Sequence, residues 1–383
     1  MSAGRLRVMT IFGTRPEAVK MAPVVARLRE SEEFAPIVVV TAQHREMLDQ
    51  VLRLFDIRPD RDLDIMLPEQ SLFDITTRAL AGLDPVLGEF QPAMVLVQGD
   101  ASSTMLGAMA AFYHRIPVGH VEAGLRTGDK YQPFPEEMNR RLTSVIADLH
   151  FAPTAQARAH LLREGIPADR VWITGNTVID ALAEIVRRPE TDLPPCLPRL
   201  DGRRMLLVTT HRRENWGEPL RQIYLALLDL LDRFPDIVVV FSVHRNPAVR
   251  RAAEEILGGH PRAHLIEPPD YAPFVRLMAR AYLILSDSGG VQEEAPSLGT
   301  PVLVLREVTE RPEGVRAGTV ELVGTSRERI ASRAGRLLAD PSAREEMAQA
   351  RNPYGDGRAA SRIVDAMRYW FGRTAQPPEE FAG

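Results

Sequence analysis

The residues best suited to chemistry are acidic side chains that follow the ends of predicted strands. Glu122 comes directly after an apolar strand, and Asp100 follows a second strand end in the segment VQGD. Glu136 lies beyond a loop rich in Gly and Pro, where a helix is predicted to begin. Carboxylates that line a cleft can act as general acids and bases if burial or mutual repulsion raises the pKa of one of them. The alternative is that they are solvated acids of ordinary loops.

A glycine-rich turn in the second half of the chain predicts an anion site. An apolar strand runs into Ser288-Gly289-Gly290, and a helix is predicted to open immediately. The glycines let backbone N–H groups approach a ligand closely, and the helix start favours an anion such as pyrophosphate. Glu294, one turn further along the same helix, can accept both hydroxyls of a ribose. A capped helix start with surface acids is the competing interpretation.

Basic side chains follow other predicted strand ends. Arg15 and Lys20 lie near the start of the first helix, where cations oppose the helix dipole and therefore need another reason to be present. His211, Arg212 and Arg311 follow strand ends of the second half and can add positive charge for an anionic ligand, although solvated loop charges are the alternative. Phe274 can stack on a base or belong to the core.

Composition excludes several classes of protein. The net charge is -4 and the charges are mixed, so no basic block indicates nucleic acid. Cys196 is the single cysteine, so no intrachain disulfide is possible, and no cluster with metal-ligand spacing predicts a metal site. The first strand is not followed by G-x-G-x-x-G, which argues against a dinucleotide cofactor. No apolar stretch approaches the roughly 18 residues of a membrane span, so a soluble, cytoplasmic protein is expected.

Alternating strands and helices are predicted to position these residues. Residues that interrupt secondary structure follow the strand ends. This pattern indicates βαβ units and parallel sheets covered on both faces, with the carboxyl ends of the strands along one edge. The predicted strands are 6–12, 36–41, 93–97, 117–121, 149–152, 171–174, 205–210, 237–241, 264–266, 283–285 and 301–305. Pro23 is expected to kink or restart the first helix.

The 383 residues exceed one ordinary core and predict two domains. The segment 189–198, PETDLPPCLP, has four prolines in ten residues and reads as a linker. We therefore expect an α/β fold with two Rossmann-like doubly wound domains, 1–188 and 201–357, joined by a linker at 189–200. A helix at 358–371 is expected to pack back on the first domain, and the final residues are expected to be frayed. A ligand site is predicted in the cleft between the domains.

A series of motifs spread over nearly the whole chain resembles the non-hydrolysing UDP-N-acetylglucosamine 2-epimerases. The motifs, in order, are FGTRPEAVKMAP, TAQHREML, VQGD, HVEAGLRTGD, PFPEEMNRRL, THRREN, DSGGVQEEAPSLGTPVLVLRE, TERPEG and NPYGDG. The resemblance implies a glycosyltransferase-B type fold with UDP in the interdomain cleft. It also implies a homodimer that interconverts UDP-N-acetylglucosamine and UDP-N-acetylmannosamine without metal or nicotinamide, and a role in surface polysaccharide synthesis.

The resemblance also implies a role for each motif residue. The acid/base carboxylates would be Asp100, Glu122 and Glu136. The UDP-binding residues would be Arg15, Lys20, His211, Arg212, Phe274, Ser288, Gly289, Gly290, Glu294 and Arg311, with Glu294 on the ribose and the segment around Phe274 on uracil. A regulatory pocket for a second substrate molecule would include Gln43, Gln70 and His244. Two positions depart from the common pattern, Pro269 where Gln is frequent and Glu69 where some members have Arg.

Three other functions fit the same residues. A glycosyltransferase of this fold would pass the sugar to an acceptor, and a hydrolysing epimerase would release N-acetylmannosamine and UDP. A nucleotide-sugar sensor would bind without turnover. For the epimerase, the expected route is elimination of UDP to a 2-acetamidoglucal followed by re-addition, which needs acid/base groups on both faces of the sugar C2.

Overall fold

The computed structural model describes residues 4–42, 45–67, 69–189 and 200–383. Within them the chain forms two compact units, one from residues 1–183 and 354–383 and the other from residues 184–353. The boundary between residues 183 and 184 falls inside a helix, Thr177–Arg187. It lies a few residues before the proline-rich segment 189–198. Most of the predicted linker, including Cys196, and the regulatory candidate Gln43 lie outside the described residues.

Each unit is built on a parallel sheet. The strands of the first unit are β1 (Leu6–Phe12), β2 (Phe34–Val40), β3 (Arg61–Asp62), β4 (Met94–Gln98), β5 (Val118–Val121), β6 (Leu149–Ala152) and β7 (Val171–Ile173). Those of the second are β8 (Arg204–Thr210), β9 (Ile237–Val243), β10 (Ala263–Ile266), β11 (Leu283–Ser286), β12 (Val302–Val304) and β13 (Val320–Leu322). The sheet orders are β3-β2-β1-β4-β5-β6-β7 and β10-β9-β8-β11-β12-β13. Both orders reverse direction beside the first strand of the unit, as in doubly wound folds, so the predicted fold class is confirmed.

Helices connect the strands throughout. They are α1 (Arg15–Glu30), α2 (Arg45–Leu54), α3 (Leu72–Phe90), α4 (Ser102–Tyr113), α5 (Glu136–Ile146), α6 (Ala155–Arg163), α7 (Thr177–Arg187), α8 (Glu218–Arg233), α9 (Pro247–Leu257), α10 (Tyr271–Arg280), α11 (Gly289–Glu294), α12 (Pro312–Arg316), α13 (Arg327–Ala339), α14 (Pro341–Gln349) and α15 (Ala359–Trp370). Short 3-10 turns lie at Ala168–Arg170, Arg213–Asn215 and Ala295–Leu298. Among the described residues no helix is long and apolar enough to cross a membrane.

Continuous apolar runs explain the central strands. Strand β9, IVVVFSV, is buried along its whole length, as expected for a strand covered by helices on both faces. In the first unit β1 and β4 pack beneath α4, whose small residues allow close approach; a β-carbon on Gly107 would lie 3.0 Å from Val97. The strand ends that carry the polar motifs are therefore fixed by fully buried cores.

Helix α1 does not restart at Pro23, which was one of the two outcomes expected there. Helix α1 runs through Pro23 as one element, although a proline removes one N–H from the hydrogen-bonding ladder. Val19, Val24 and Val25 are buried on this helix, which packs on β1 and β2. Burial of this apolar face offsets the lost hydrogen bond, so the helix continues.

The final residues were expected to be frayed, and this expectation is also wrong for Glu380 and Phe381. Phe381 is 3% exposed, and its N–H donates to the Ile173 carbonyl over 2.8 Å. The Ile173 N–H in turn donates to the Glu380 carboxylate over 3.0 Å. Strand β7 is the last strand of its sheet, so these residues satisfy backbone groups on an otherwise open edge. Helix α15 packs against α1 in the same unit.

Candidate functional site

Glu122 follows β5 directly and has a left-handed backbone with φ of 62°. Such a conformation is uncommon outside glycine and marks a position where the surroundings hold strain. The side chain is buried, and Lys20 Nζ donates to its two carboxylate oxygens over 2.5 and 2.7 Å. Asn176 Nδ2 donates over 2.9 Å, and Gln98 donates through its side-chain amide. A carboxylate held by a cation and two amides in this way is fixed in place.

Four separate elements bring these groups together. Lys20 lies on α1, Gln98 ends β4, Glu122 follows β5, and Asn176 follows β7. Strands β1, β4 and β5 are neighbours, so the cluster lies at the carboxyl edge of the sheet beside its change of direction. The structure thus joins Lys20 to Glu122, a contact that the sequence did not suggest.

Asp100 is tied to the start of α5. Arg140 Nε donates to the Asp100 carboxylate over 2.9 Å, and Asn139 Nδ2 donates to the Asp100 carbonyl over 2.9 Å. Asp100 also follows Gly99, on which a β-carbon would lie 3.6 Å from Glu122 Oε2. Asp100 and Glu122 are therefore adjacent along the same edge.

Glu136 opens α5, one turn before Arg140. Within the described part of the chain, its Oε2 atom is buried and has no hydrogen-bond partner. A buried oxygen of this kind usually has a functional reason or an additional partner. The three predicted acid/base carboxylates thus belong to one region of the first unit, with Asp100 linked through α5 to Glu136.

The neighbouring Glu137 has a structural role. It is fully buried, accepts a hydrogen bond from the Thr127 N–H over 3.1 Å and forms a salt bridge with Arg140 over 3.1 Å. Burial alone would raise the pKa of Glu137, but these hydrogen bonds hold its pKa below the usual value. Glu137 therefore fixes the loop that leads to Glu136.

In the second unit, Asp287 organises the loop after β8. Its fully buried carboxylate accepts the N–H groups of His211 and Arg212 over 3.0 Å each. His211 Nδ1 lies 2.9 Å away, and Asn215 Nδ2 donates over 3.1 Å. Burial opposes ionisation, but the bonds from His211 and Arg212 keep the pKa of Asp287 below its usual value. Asp287 therefore holds His211 and Arg212, which are predicted to bind UDP, beside the glycine turn.

Arg311 lies against that turn. A β-carbon on Gly289 would lie 2.5 Å from Arg311 Nη1, so any larger residue would displace the guanidinium from this position. Arg311 pairs with Glu293 over 2.6 Å and with Glu310 over 2.8 Å. Burial would raise the pKa of Glu310, but Arg311, with two further arginines, lowers it to about 2. The region therefore presents a fixed guanidinium beside Ser288, Gly289 and Gly290.

The predicted nucleoside residues are linked by Tyr271. Its hydroxyl donates to Glu294 Oε2 over 2.9 Å, which joins the start of α10 to α11. Phe274 lies one turn along α10 from Tyr271, so both face the same side of that helix. Tyr271 therefore connects Glu294 to the helix that carries Phe274.

The remaining predicted residues are placed as follows. Arg15 is half-buried at the first position of α1. Gln70 precedes α3 and its side chain accepts the N–H of Leu67 over 3.0 Å. The His244 ring lies 6.2 Å from the ring of His211 in the second unit, and burial, with His211, lowers the pKa of His244. Among the described residues no group of three or more His, Cys, Asp or Glu is arranged to hold a metal ion.

Sequence reasoning missed the partners Gln98, Asn176, Arg140 and Tyr271. A signal was present for two of them, since Gln98 ends β4 and Asn176 lies just past the end of β7. The same strand-end rule that selected Asp100 and Glu122 applies to both.

Comparison with known proteins gives one consistent family. Residues 26–368 match the family model for UDP-N-acetylglucosamine 2-epimerase. The UDP-N-acetylglucosamine 2-epimerase of Bacillus subtilis is 53% identical over 379 residues, which covers 99% of each chain. A crystal structure of a putative UDP-N-acetylglucosamine 2-epimerase from Listeria monocytogenes has a TM-score of 0.94 at 49% identity, and covers 99% of this chain and 100% of that chain.

Two further solved structures extend the comparison. The UDP-GlcNAc 2-epimerase of Neisseria meningitidis bound to UDP-GlcNAc has a TM-score of 0.85 at 50% identity, over 94% of this chain and 99% of that chain. The glycotransferase of kitacinnamycin shares the fold alone, with a TM-score of 0.65 at 12% identity, over 96% of this chain and 99% of that chain. The expected glycosyltransferase-B type fold is confirmed, and the chain belongs to the UDP-N-acetylglucosamine 2-epimerase family.

Proposed function

We propose that the chain epimerises UDP-N-acetylglucosamine at C2 to UDP-N-acetylmannosamine without net hydrolysis. The observation that carries the proposal is the Glu122 carboxylate, buried, strained and bonded to Lys20 and Asn176 in a chain of this family. The bound UDP-GlcNAc in the Neisseria meningitidis relative supports the choice of substrate. The nucleotide is assigned to residues of the second unit and the proton chemistry to residues of the first.

The proposed reaction begins with elimination. A carboxylate removes the proton from C2, the C–H electron pair forms the C1–C2 double bond, and the C1–O bond electrons leave with UDP. Arg311, the glycine turn and His211 supply positive charge and N–H groups for the departing diphosphate. The products of this step are 2-acetamidoglucal and UDP.

Re-addition reverses the electron flow with the other stereochemistry. UDP attacks C1, and a proton is delivered to the opposite face of C2. Two faces require at least two acid/base groups, and Asp100, Glu122 and Glu136 are the candidates. Lys20, which the resemblance assigns to the diphosphate, is bonded to Glu122, so we assign it first to holding this carboxylate.

The alternatives separate in one incubation with UDP-N-acetylglucosamine and no acceptor, followed by chromatography. The proposal predicts an equilibrium mixture of the two UDP-sugars without accumulation of UDP. Accumulating UDP with free N-acetylmannosamine would indicate the hydrolysing epimerase instead. Unchanged substrate would indicate a glycosyltransferase waiting for its acceptor, or a sensor.

We also propose that the chain forms a homodimer through α4 and α5. Phe112 and Tyr113 at the end of α4 are 60% and 69% exposed, and Val145 on α5 is 82% exposed. Helix α4 packs against α5, so these apolar side chains lie on adjoining elements. Exposed apolar patches of this kind often mark association surfaces. Val145→Glu should halve the molecular mass measured by analytical ultracentrifugation. Val308→Glu, at an exposed apolar site of the other unit, should leave that mass unchanged.

Three further assignments stay predictions. They are the regulatory use of Gln43, Gln70 and His244, the supply of surface polysaccharide synthesis, and the cytoplasmic location. Substrate activation would be visible as a sigmoidal dependence of rate on UDP-N-acetylglucosamine concentration.

A further inference from the structure

The C-terminal residues Glu380 and Phe381 dock on the edge of the first unit's sheet. Phe381 is buried, whereas Ala382 and Gly383 are exposed. The Glu380 carboxylate accepts the Ile173 N–H and also pairs with Arg158 over 2.9 Å. Two backbone groups of β7 and one ion pair therefore fix the tail in place.

The Phe381 ring packs against the turn that follows β7. A β-carbon placed on Gly175, whose φ is 83°, would lie 3.7 Å from Cδ1 of the ring. The Arg362 guanidinium lies 5.6 Å above the ring centroid and donates to the Thr174 carbonyl over 3.2 Å. Gly175 has no side chain to anchor the turn, so neighbouring residues hold it from outside. They are Tyr354, Gly355, Phe381 and Arg362.

The same turn presents Asn176 to Glu122. The Asn176 N–H donates to the Tyr354 carbonyl over 2.7 Å, and its Oδ1 accepts the Val178 N–H over 3.1 Å. With its backbone and Oδ1 fixed in this way, Nδ2 donates to Glu122 Oε1 over 2.9 Å. The direction of that hydrogen bond is set by the position of the turn.

We propose that Phe381 and Glu380 are positioning residues that orient Glu122 through the Gly175–Asn176 turn. The inference rests on the proposed function, since it assumes that Glu122 acts in proton transfer. Loss of the ring leaves a cavity beside a glycine, and the turn can move into it. A small displacement of Asn176 lengthens its bond to Glu122, and such misplacement lowers turnover more than substrate binding.

The test is a double-mutant cycle with Phe381→Ala, Asn176→Ala and the double variant, assayed for epimerisation of UDP-N-acetylglucosamine. We expect Phe381→Ala to lower kcat about tenfold and to change KM less than about threefold. Because both residues act on one hydrogen bond, the double variant should be no slower than Asn176→Ala alone. Glu379→Gln, which changes an exposed ion pair next to the tail, is the matched control and should keep wild-type kinetics.

A readout independent of activity accompanies the cycle. Amide hydrogen exchange at Asn176 should accelerate in Phe381→Ala and stay unchanged in Glu379→Gln, because only the first variant loosens the turn. If Phe381→Ala does not fold, Phe381→Leu takes its place, with a smaller loss of kcat and the same lack of additivity expected.

Three results would overturn the inference. One is a kcat for a folded Phe381 variant within about twofold of wild type, and another is a double variant whose loss equals the product of the two single losses. The third is unchanged hydrogen exchange at Asn176. An inactive wild-type protein would instead contradict the proposed function, so the two failures are distinguishable.

Discussion

Both units bury a carboxylate just past the end of a strand, but they hold it in different ways. Asp287 follows β11 and accepts two backbone N–H groups from the loop after β8. Glu122 follows β5 and receives side-chain donors from Lys20, Gln98 and Asn176. The donors to Asp287, which also include Asn215 Nδ2, come from the single loop after β8. The side-chain donors to Glu122 come from α1, from β4 and from the turn after β7. The comparison teaches that a buried carboxylate past a strand end can order a single loop, as Asp287 does, or join several elements of the sheet edge, as Glu122 does.

The largest expected effect comes from Glu122→Gln. Loss of a general acid/base group should lower kcat about 10³-fold, while the dissociation constant for UDP stays near the wild-type value. Steady-state kinetics and calorimetric titration with UDP measure the two quantities. Glu30→Gln, on the exposed surface of α1, serves as the control. A variant that kept most of its turnover would remove Glu122 from the chemistry.

Asp287→Asn should lower the stability of the second unit. The amide oxygen can replace only the oxygen that accepts the N–H groups of His211 and Arg212, and the NH2 group then takes the place of the second acceptor beside the His211 ring. With this acceptor and the charge lost, we expect a loss on the order of 3 kcal/mol in free energy of unfolding. Urea unfolding followed by tryptophan fluorescence, with Trp216 in the second unit, measures it. Asp236→Asn, at an exposed ion pair of the same unit, provides the comparison. Equal stability of both variants would contradict the structural role of Asp287.

The buried His120 makes the stability of the first unit depend on pH. Its Nε2 lies 2.8 Å from the Gly99 carbonyl, and burial lowers the pKa of His120 to about 4. The unfolded chain binds the proton near pH 6.5, so His120 removes up to about 3 kcal/mol of stability as the pH falls from about 6.5 to about 4. The pKa of Asp287 is lowered instead, so its stabilisation is lost only as the pH falls below about 4.

The difference between wild type and His120→Asn isolates this effect from other titrating groups. Their difference in free energy of unfolding should be constant above pH 7 and shift in favour of the variant as the pH falls to 4. Urea unfolding at several pH values measures it. A difference that does not change with pH would show that His120 is protonated equally in both states.

The smallest effect is expected at the nucleotide residues of the second unit. In Gly289→Ala the new β-carbon would displace Arg311, which we assign to the departing diphosphate, so kcat/KM should fall about tenfold. Gly259→Ala, where a β-carbon would contact nothing within 4 Å, is the matched control. A kcat/KM within about twofold of the wild-type value would contradict the assignment of Arg311 to the diphosphate.

Much of the fold was predictable because buried parallel strands are continuous apolar runs that end at Gly, Asp or Glu. Strand β3 (Arg61–Asp62) and the half-buried β13 (Val320–Leu322) were missed because neither has such a run. The identity of Asp100, Glu122 and Glu136 as candidates followed from strand ends and motifs. Their partners did not, because the bonds of Lys20 and Asn176 to Glu122 join residues that are distant in sequence. The docking of Phe381 depends on which strand forms the sheet edge, and local sequence does not contain that information.

The most direct test of the account follows UDP-N-acetylglucosamine by proton NMR in D2O. Elimination and re-addition predict that UDP-N-acetylmannosamine carries deuterium at C2 and that the C2 proton of the remaining substrate is lost over time. The two UDP-sugars should reach equilibrium while free UDP stays low. Epimerised product that retains its C2 proton would contradict proton transfer through the Glu122 region.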